Sequence, residues 1–316
     1  MRIAKIVCLP YIYYDEICDR IIGEVLHMKY GIYYAYWVKE WDVDYRPYID
    51  KAAALGFDIL EVSCIPIMKQ TDDELRELLK YAKDKNVILT GGYGPAKEHN
   101  IASEDPQTVK RAIDFYKEAL RKMNILEMKS LCGGIYSYWP VDYSQPIDKK
   151  GDYERSIVAM KEIAKIGEQY DVMLCAEVLN RFEGYLLNDC EEALAYVKAV
   201  DHPNVKVHLD TFHMSIEEDS LPDAIRRAGS YLGHMHVGER NRKVPGKGNL
   251  PWFEIGQALK DINYQGAAVF EPFVQSGGAV GQDIKIFREL INDLTEEKLD
   301  DDLGGSLEFL KHTFAM

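Results

Sequence analysis

From Gly31 onward, two kinds of stretch alternate along the chain. Short apolar runs are separated by longer segments whose apolar positions recur every three or four residues, the spacing of one buried helical face. The strand candidates are Ile32–Tyr34, Ile59–Val62, Val87–Thr90, Met128–Leu131, Met173–Glu177, Val205–Asp210, Leu232–His236 and Ala267–Glu271. The helical patterns cover Tyr45–Ala54, Asp73–Lys83, Thr108–Met123, Glu154–Glu168, Cys190–Val200, Leu221–Ala228 and Trp252–Asp261. Asp72 and Asp189 stand just ahead of two of these and are expected to cap them.

Eight strands with helices between them predict a single closed (β/α)8 TIM barrel of the α/β class. A doubly wound sheet is the runner-up, but its first turn would need a G-x-G-x-x-G fingerprint that the chain lacks. Gly91-Gly92-Tyr93-Gly94 has the wrong spacing and is expected only to let a loop turn beside the site. Residues 28–316 are assigned to the barrel and its C-terminal helices, with Ile284–Phe314 helical in pattern and suited to a closing helix or a subunit contact. Met1–His27 precedes the first barrel strand as an extension, with room for a strand and a short helix, and Met28-Lys29-Tyr30-Gly31 reads as a natural start.

Composition narrows the function. The chain has 316 residues, 47% of them hydrophobic, and a formal net charge of −14 with no basic stripe, which argues against gripping a phosphate backbone. Cys8, Cys18, Cys64, Cys132, Cys175 and Cys190 form no C-x-x-C pair, so reduced, buried thiols in the cytoplasm are expected rather than a disulfide scaffold. No apolar run reaches the roughly 20 residues of a membrane span, and the N-terminus lacks the pattern of a signal peptide.

In such a barrel, chemistry sits at the C-terminal ends of the strands. Four polar residues end apolar runs there: Glu177, Asp210, His236 and Glu271, on strands five to eight and therefore neighbours on one rim. Taken singly, each reads as a helix cap or a hydrogen-bonded rim histidine. Together, three carboxylates and an imidazole would repel or stay undersolvated without a cation, and this oxygen-rich set suits one Mn²⁺, Co²⁺ or Mg²⁺. Loops beyond them are rich in groups able to bind hydroxyls: Asn180-Arg181-Phe182-Glu183, Thr211-Phe212-His213-Met214 and Gly238-Glu239-Arg240-Asn241-Arg242. Glu239 and Arg240 are read as solvated loop charges. Two aromatic clusters, Tyr33-Tyr34-Ala35-Tyr36-Trp37 and Tyr136-Ser137-Tyr138-Trp139-Pro140, are expected to give about half their rings to the barrel mouth.

These motifs, with Asn241-Arg242-Lys243-Val244-Pro245-Gly246-Lys247-Gly248 and Glu271-Pro272-Phe273, resemble the D-psicose (D-allulose)/D-tagatose 3-epimerase family of the xylose-isomerase-like barrels, in matching order from about Met28 to Arg288. The resemblance implies that Glu177, Asp210, His236 and Glu271 ligate the metal, and that Glu177 and Glu271 are the catalytic pair. It implies that Glu183, His213 and Arg242 hold the O1–O2 end of a ketohexose, with Tyr33, Trp139 and Phe273 as apolar walls. The implied reaction is epimerisation at C3 (D-fructose/D-psicose, or D-tagatose/D-sorbose) through a cis-enediolate, in a homodimer or homotetramer. The resemblance also implies that Ser63-Cys64-Ile65-Pro66-Ile67-Met68, less typical here, touches the far end of the sugar. Val237 and Arg240 depart from the pattern without removing a catalytic group. The rival readings are an aldose–ketose isomerase or DNA-repair endonuclease on the same barrel, and a non-catalytic sugar-binding module.

Overall fold

Every apolar run from the first to the eighth forms a strand. The structure, a computed structural model, describes residues 28–316; the expectations for Met1–His27, Cys8 and Cys18 lie outside the described residues. The strands are β1 (Lys29–Tyr33), β2 (Ile59–Ser63), β3 (Ile88–Gly92), β4 (Ser130–Gly133), β5 (Met173–Glu177), β6 (Val205–Asp210), β7 (Leu232–Val237) and β8 (Ala267–Phe270). All pair in parallel in chain order, and β8 closes on β1. The closed (β/α)8 barrel follows, as the periodicity predicts.

The outer layer contains α1 (Arg46–Leu55), α2 (Cys64–Lys69), α3 (Asp72–Asp84), α4 (Pro106–Ile125), α5 (Lys149–Gln169), α6 (Cys190–Val200), α7 (Thr211–Glu217), α8 (Leu221–Ala228), α9 (Trp252–Asp261), α10 (Gly278–Asp283) and α11 (Glu296–Ala315). Asp189 caps α6 as expected, accepting from the Glu192 amide at 2.8 Å. Asp72 does not cap α3. Thr71 does, through a reciprocal capping box: its hydroxyl accepts from the Glu74 amide while the Glu74 carboxylate accepts from the Thr71 amide. Asp72 falls in the first turn and pairs with Arg121 on α4.

The C-terminal region is helical only from Glu296, where the Thr295 hydroxyl accepts from the Lys298 amide; residues 284–295 are irregular. Helix α11 packs against α1 and α9, and Ser306 donates to the Pro245 carbonyl at 2.7 Å, tying the helix to the loop after β7. Cys64, Cys132, Cys175 and Cys190 are buried free thiols. Among the described residues no helix is long and apolar enough to cross a membrane.

Candidate active site

The barrel brings the four strand-end residues to one point. One ligand atom from each of Glu177, Asp210, His236 and Glu271 lies within 4.8 Å of the other three. Glu177 and Asp210 end β5 and β6, His236 is the penultimate residue of β7, and Glu271 follows β8, its amide still held by the Val237 carbonyl at 3.1 Å. His236 Nδ1 stands 3.5 Å from Glu177 Oε1, 3.4 Å from Glu271 Oε1 and 4.0 Å from Asp210 Oδ2. Asp210 serves two purposes: Oδ1 caps α7 by accepting from the Phe212 amide at 2.6 Å, while Oδ2 faces the cluster.

The donor atoms fit a divalent cation. Asp210 Oδ2 and His236 Nδ1 are both buried without a hydrogen-bond partner, which is costly unless a positive charge meets them. Burial pushes the Glu177 carboxyl up to about 8; Glu271 and Asp210 beside it add to the rise and His236 opposes it. Burial likewise raises Asp210. Burial alone would lower His236, but Glu271, Glu61 and Glu177 carry it well above its ordinary value. A cation among these oxygens would reverse that logic, ionising the acids and leaving the imidazole neutral.

Above the cluster opens a cleft walled by apolar rings and a few convergent polar groups, the make-up of a small-molecule site. Tyr33, Trp139 and Phe273 line it, with Glu183, His213 and Arg242 at one end. Arg242 bridges two acids, donating to Glu183 Oε1 at 3.0 Å and to Glu271 Oε2 at 3.2 Å. Its guanidinium lies 3.6 Å over the Phe212 ring, a stacking that fixes the fork. His213 accepts at Nδ1 from the Asn180 amide at 3.2 Å, which turns Nε2 toward Glu177 and Asp210, each 3.9 Å away. The four expected ligands and the six residues expected to contact the sugar therefore converge on one cleft and its floor.

The xylose isomerase-like TIM barrel model matches residues 49–290. The chain is 55% identical over 295 residues to D-psicose 3-epimerase of Enterocloster bolteae, covering 93% of this chain and 98% of that one. It is 50% identical to D-psicose 3-epimerase of Agrobacterium fabrum, covering 89% and 98%. The chain belongs to the D-psicose 3-epimerase family. A crystal structure of D-psicose 3-epimerase with D-tagatose from Clostridium cellulolyticum H10 superposes with a TM-score of 0.90 at 52% identity, covering 91% of this chain and 99% of that one.

Against the family pattern, three expectations need correction. None of Ser63–Met68 lines the cleft. Ser63 caps the short helix α2, and Lys122 binds the carbonyls of Met68 and Gln70 at its far end, so this segment turns away into the α2–α4 packing. Trp41 and Ile284 line the cleft instead, and Trp41 donates to Asp283 at 2.7 Å. Of the aromatic clusters only Tyr33 and Trp139 line it; Tyr34, Tyr36 and Tyr136 are core, their hydroxyls donating to backbone carbonyls. Glu239 is not solvated. It is fully buried and accepts from the amides of Gly246, Asn249 and Leu250 and from the Trp252 indole, so it shapes the loop that carries Arg242. Arg240 is exposed, as expected.

One residue was missed altogether in this 3-epimerase family member. Glu61, in the middle of β2, is completely buried beneath the cluster. Burial raises its carboxyl, but His234 and His236 overcome this and hold it well below the usual carboxylate range. The available signal was a single acid inside the apolar run Ile59-Leu60-Glu61-Val62, where a charge must have a partner.

Proposed function

We propose that this protein is a metal-dependent ketose 3-epimerase acting on free ketohexoses, with D-fructose and D-psicose as its first pair and D-tagatose and D-sorbose as its second. The observation that carries the reading is the pairing of Glu177 and Glu271 across one imidazole, 3.5 and 3.4 Å from His236 Nδ1, at the floor of the cleft. Inverting a carbon requires a proton to leave one face and another to arrive at the opposite face. Two carboxylates converging from different strands can do this, whereas binding alone needs neither. Near full-length identity of 50–55% with D-psicose 3-epimerases supports the same reading.

Glu177, Asp210, His236 and Glu271 would hold the ion, and their donor set favours Mn²⁺ or Co²⁺, with Mg²⁺ also accommodated. When bound, the ion supplies Lewis-acid polarisation of the ketose carbonyl and stabilisation of the charge that develops on C3 deprotonation. One carboxylate of the pair removes the C3 proton, and the other returns a proton from the opposite side. Their roles exchange with the direction of reaction. Arg242, His213 and Glu183 offer donors and acceptors for the O1–O2 end, so the sugar meets the pair in one orientation. Tyr33, Trp139 and Phe273 present apolar faces to its C–H edges and exclude water from the reacting carbon.

The test is product analysis from D-fructose with Mn²⁺ or Co²⁺ and then with chelator. Metal-dependent D-psicose, lost in Glu177→Gln and Glu271→Gln, is expected. Glucose or mannose in its place would indicate C1–C2 isomerisation, and no turnover of any ketohexose would overturn the reading.

A further inference from the structure

Below the proposed metal ligands, the barrel interior holds a second polar layer that meets the cleft floor at Glu61 and His236. Its centre is Glu61. Oε1 lies 2.6 Å from His236 Nε2, while Oε2 accepts from the Thr90 hydroxyl at 2.9 Å and stands 3.0 Å from His234 Nε2. Thr90 is directly opposite Glu61 in the β2–β3 ladder, so the backbone register itself brings that donor into place. His208 packs edge-on against both imidazoles, with ring centroids 4.1 Å from His236 and 4.8 Å from His234. Glu61, His208 and His234 are each at most 2% exposed, so none of these groups exchanges its partner for water.

An imidazole binds a metal through a nitrogen that carries no hydrogen, and which nitrogen that is depends on what the other one bonds to. A carboxylate that is already fixed by Thr90 can only accept, so it selects the hydrogen at Nε2 and leaves the Nδ1 lone pair facing Glu177, Glu271 and Asp210. We infer that Glu61 is a positioning residue of the proposed metal centre, holding His236 in the Nε2–H tautomer and in the ring orientation that presents Nδ1 to the ion. This rests on the metal-centre reading given above and adds to it a residue outside the ligand set, fully buried at the base of the cleft. Such a carboxylate–imidazole arrangement makes the ring a stronger donor, and its loss is expected to weaken metal binding about 10- to 100-fold.

The test reads the metal and the proton, independent of turnover. Mn²⁺ titration calorimetry on the full chain compares wild type with Glu61→Gln, which keeps an acceptor but not the charge, and Glu61→Met, which keeps neither. Affinity is expected to fall about tenfold in the first and about 100-fold in the second, with kcat recovering as Mn²⁺ approaches saturation. Because both variants alter a buried group and folding can suffer, the tautomer is also read in the wild-type protein loaded with Mg²⁺, by long-range ¹H–¹⁵N correlation of its histidines. A hydrogen at His236 Nε2 and a bare Nδ1 are expected. A hydrogen at Nδ1, or folded variants that bind Mn²⁺ within twofold of wild type, would overturn the inference while leaving the epimerase reading intact. A wild-type chain with no Mn²⁺ isotherm would overturn both.

Discussion

Arg242 donates to Glu271 at 3.2 Å, so the two glutamates that face His236 are not equivalent: Glu271 is paired with a fixed cation and Glu177 is not. The same arginine holds Glu183 through its other nitrogen. Its backbone adopts a left-handed φ of 61°, kept there by the Arg242 amide on the Glu239 carbonyl and by the Phe273 amide on the Arg242 carbonyl.

Replacing Arg242 should therefore do more than remove a sugar contact. Arg242→Ala removes the guanidinium from two nearly buried carboxylates, and kcat/KM is expected to fall roughly 100-fold, about 3 kcal/mol of transition-state stabilisation. Arg242→Lys restores the charge but cannot span both acids, so it should recover only a small part. Steady-state kinetics of the two variants on D-fructose checks this, and full recovery by lysine would refute the bridging role.

The raised Glu177 carboxyl predicts a pH dependence of stability in the metal-free protein. Its pKa stands at about 8 in the folded chain against an ordinary 4.5. The folded state thus binds the proton more tightly, and the resulting stability is present below about pH 4.5 and lost as pH rises toward 8. The slope for one proton is at most about 1.4 kcal/mol per pH unit. Thermal unfolding in chelator should show this decline, and Glu177→Gln should flatten it. In the presence of Mn²⁺ the trend should reverse, since ion and proton compete for the same carboxylate.

Glu239 is predicted to matter more for stability than its loop position suggests. Glu239→Ala strands three amides and the Trp252 indole, costing roughly 3 kcal/mol. KM should also rise, because the same loop sets Arg242. Denaturant unfolding and substrate saturation measured together would separate these effects, and an unchanged midpoint would contradict the assignment.

Gly133, at the end of β4 on the cleft wall, tolerates no side chain. Its φ is +122°, and an added Cβ would sit 2.3 Å from the Tyr93 carbonyl oxygen. Gly133→Ala should lower stability by roughly 3 kcal/mol or more and displace Tyr93, which also lines the cleft. A variant with native stability and KM would contradict this.

How much of this was legible in the sequence follows from what each residue interrupts. Glu177, Asp210 and His236 break apolar runs at their C-terminal ends, where a barrel exposes its functional rim, so position and chemistry agree. The bounds of α6, α8 and α9 coincide with the sequence expectation, whereas the longer α4 and α5 extend past their apolar pattern at both ends, because polar end turns carry no period. Helices α2 and α7 are too short to show a period and follow a strand directly, so they read as loops; the expectation for Ser63–Met68 came from the family resemblance, and no periodicity was there to set against it. Glu61 and Glu239 escaped for a related reason. Both are buried charges: the imidazoles that meet Glu61 lie far away in sequence and reach it only when the barrel closes, while Glu239 is enclosed by amides of its own loop, whose folded path no periodicity signals.

The central claim is that a proton is exchanged at C3 of the ketose. The most direct measurement incubates D-fructose with the Mn²⁺-loaded protein in D₂O and locates deuterium by NMR in recovered substrate and product. Deuterium at C3 of both D-psicose and D-fructose, absent in Glu177→Gln and Glu271→Gln, is the predicted result. Deuterium at C1, or epimerised product without solvent deuterium, would contradict the account.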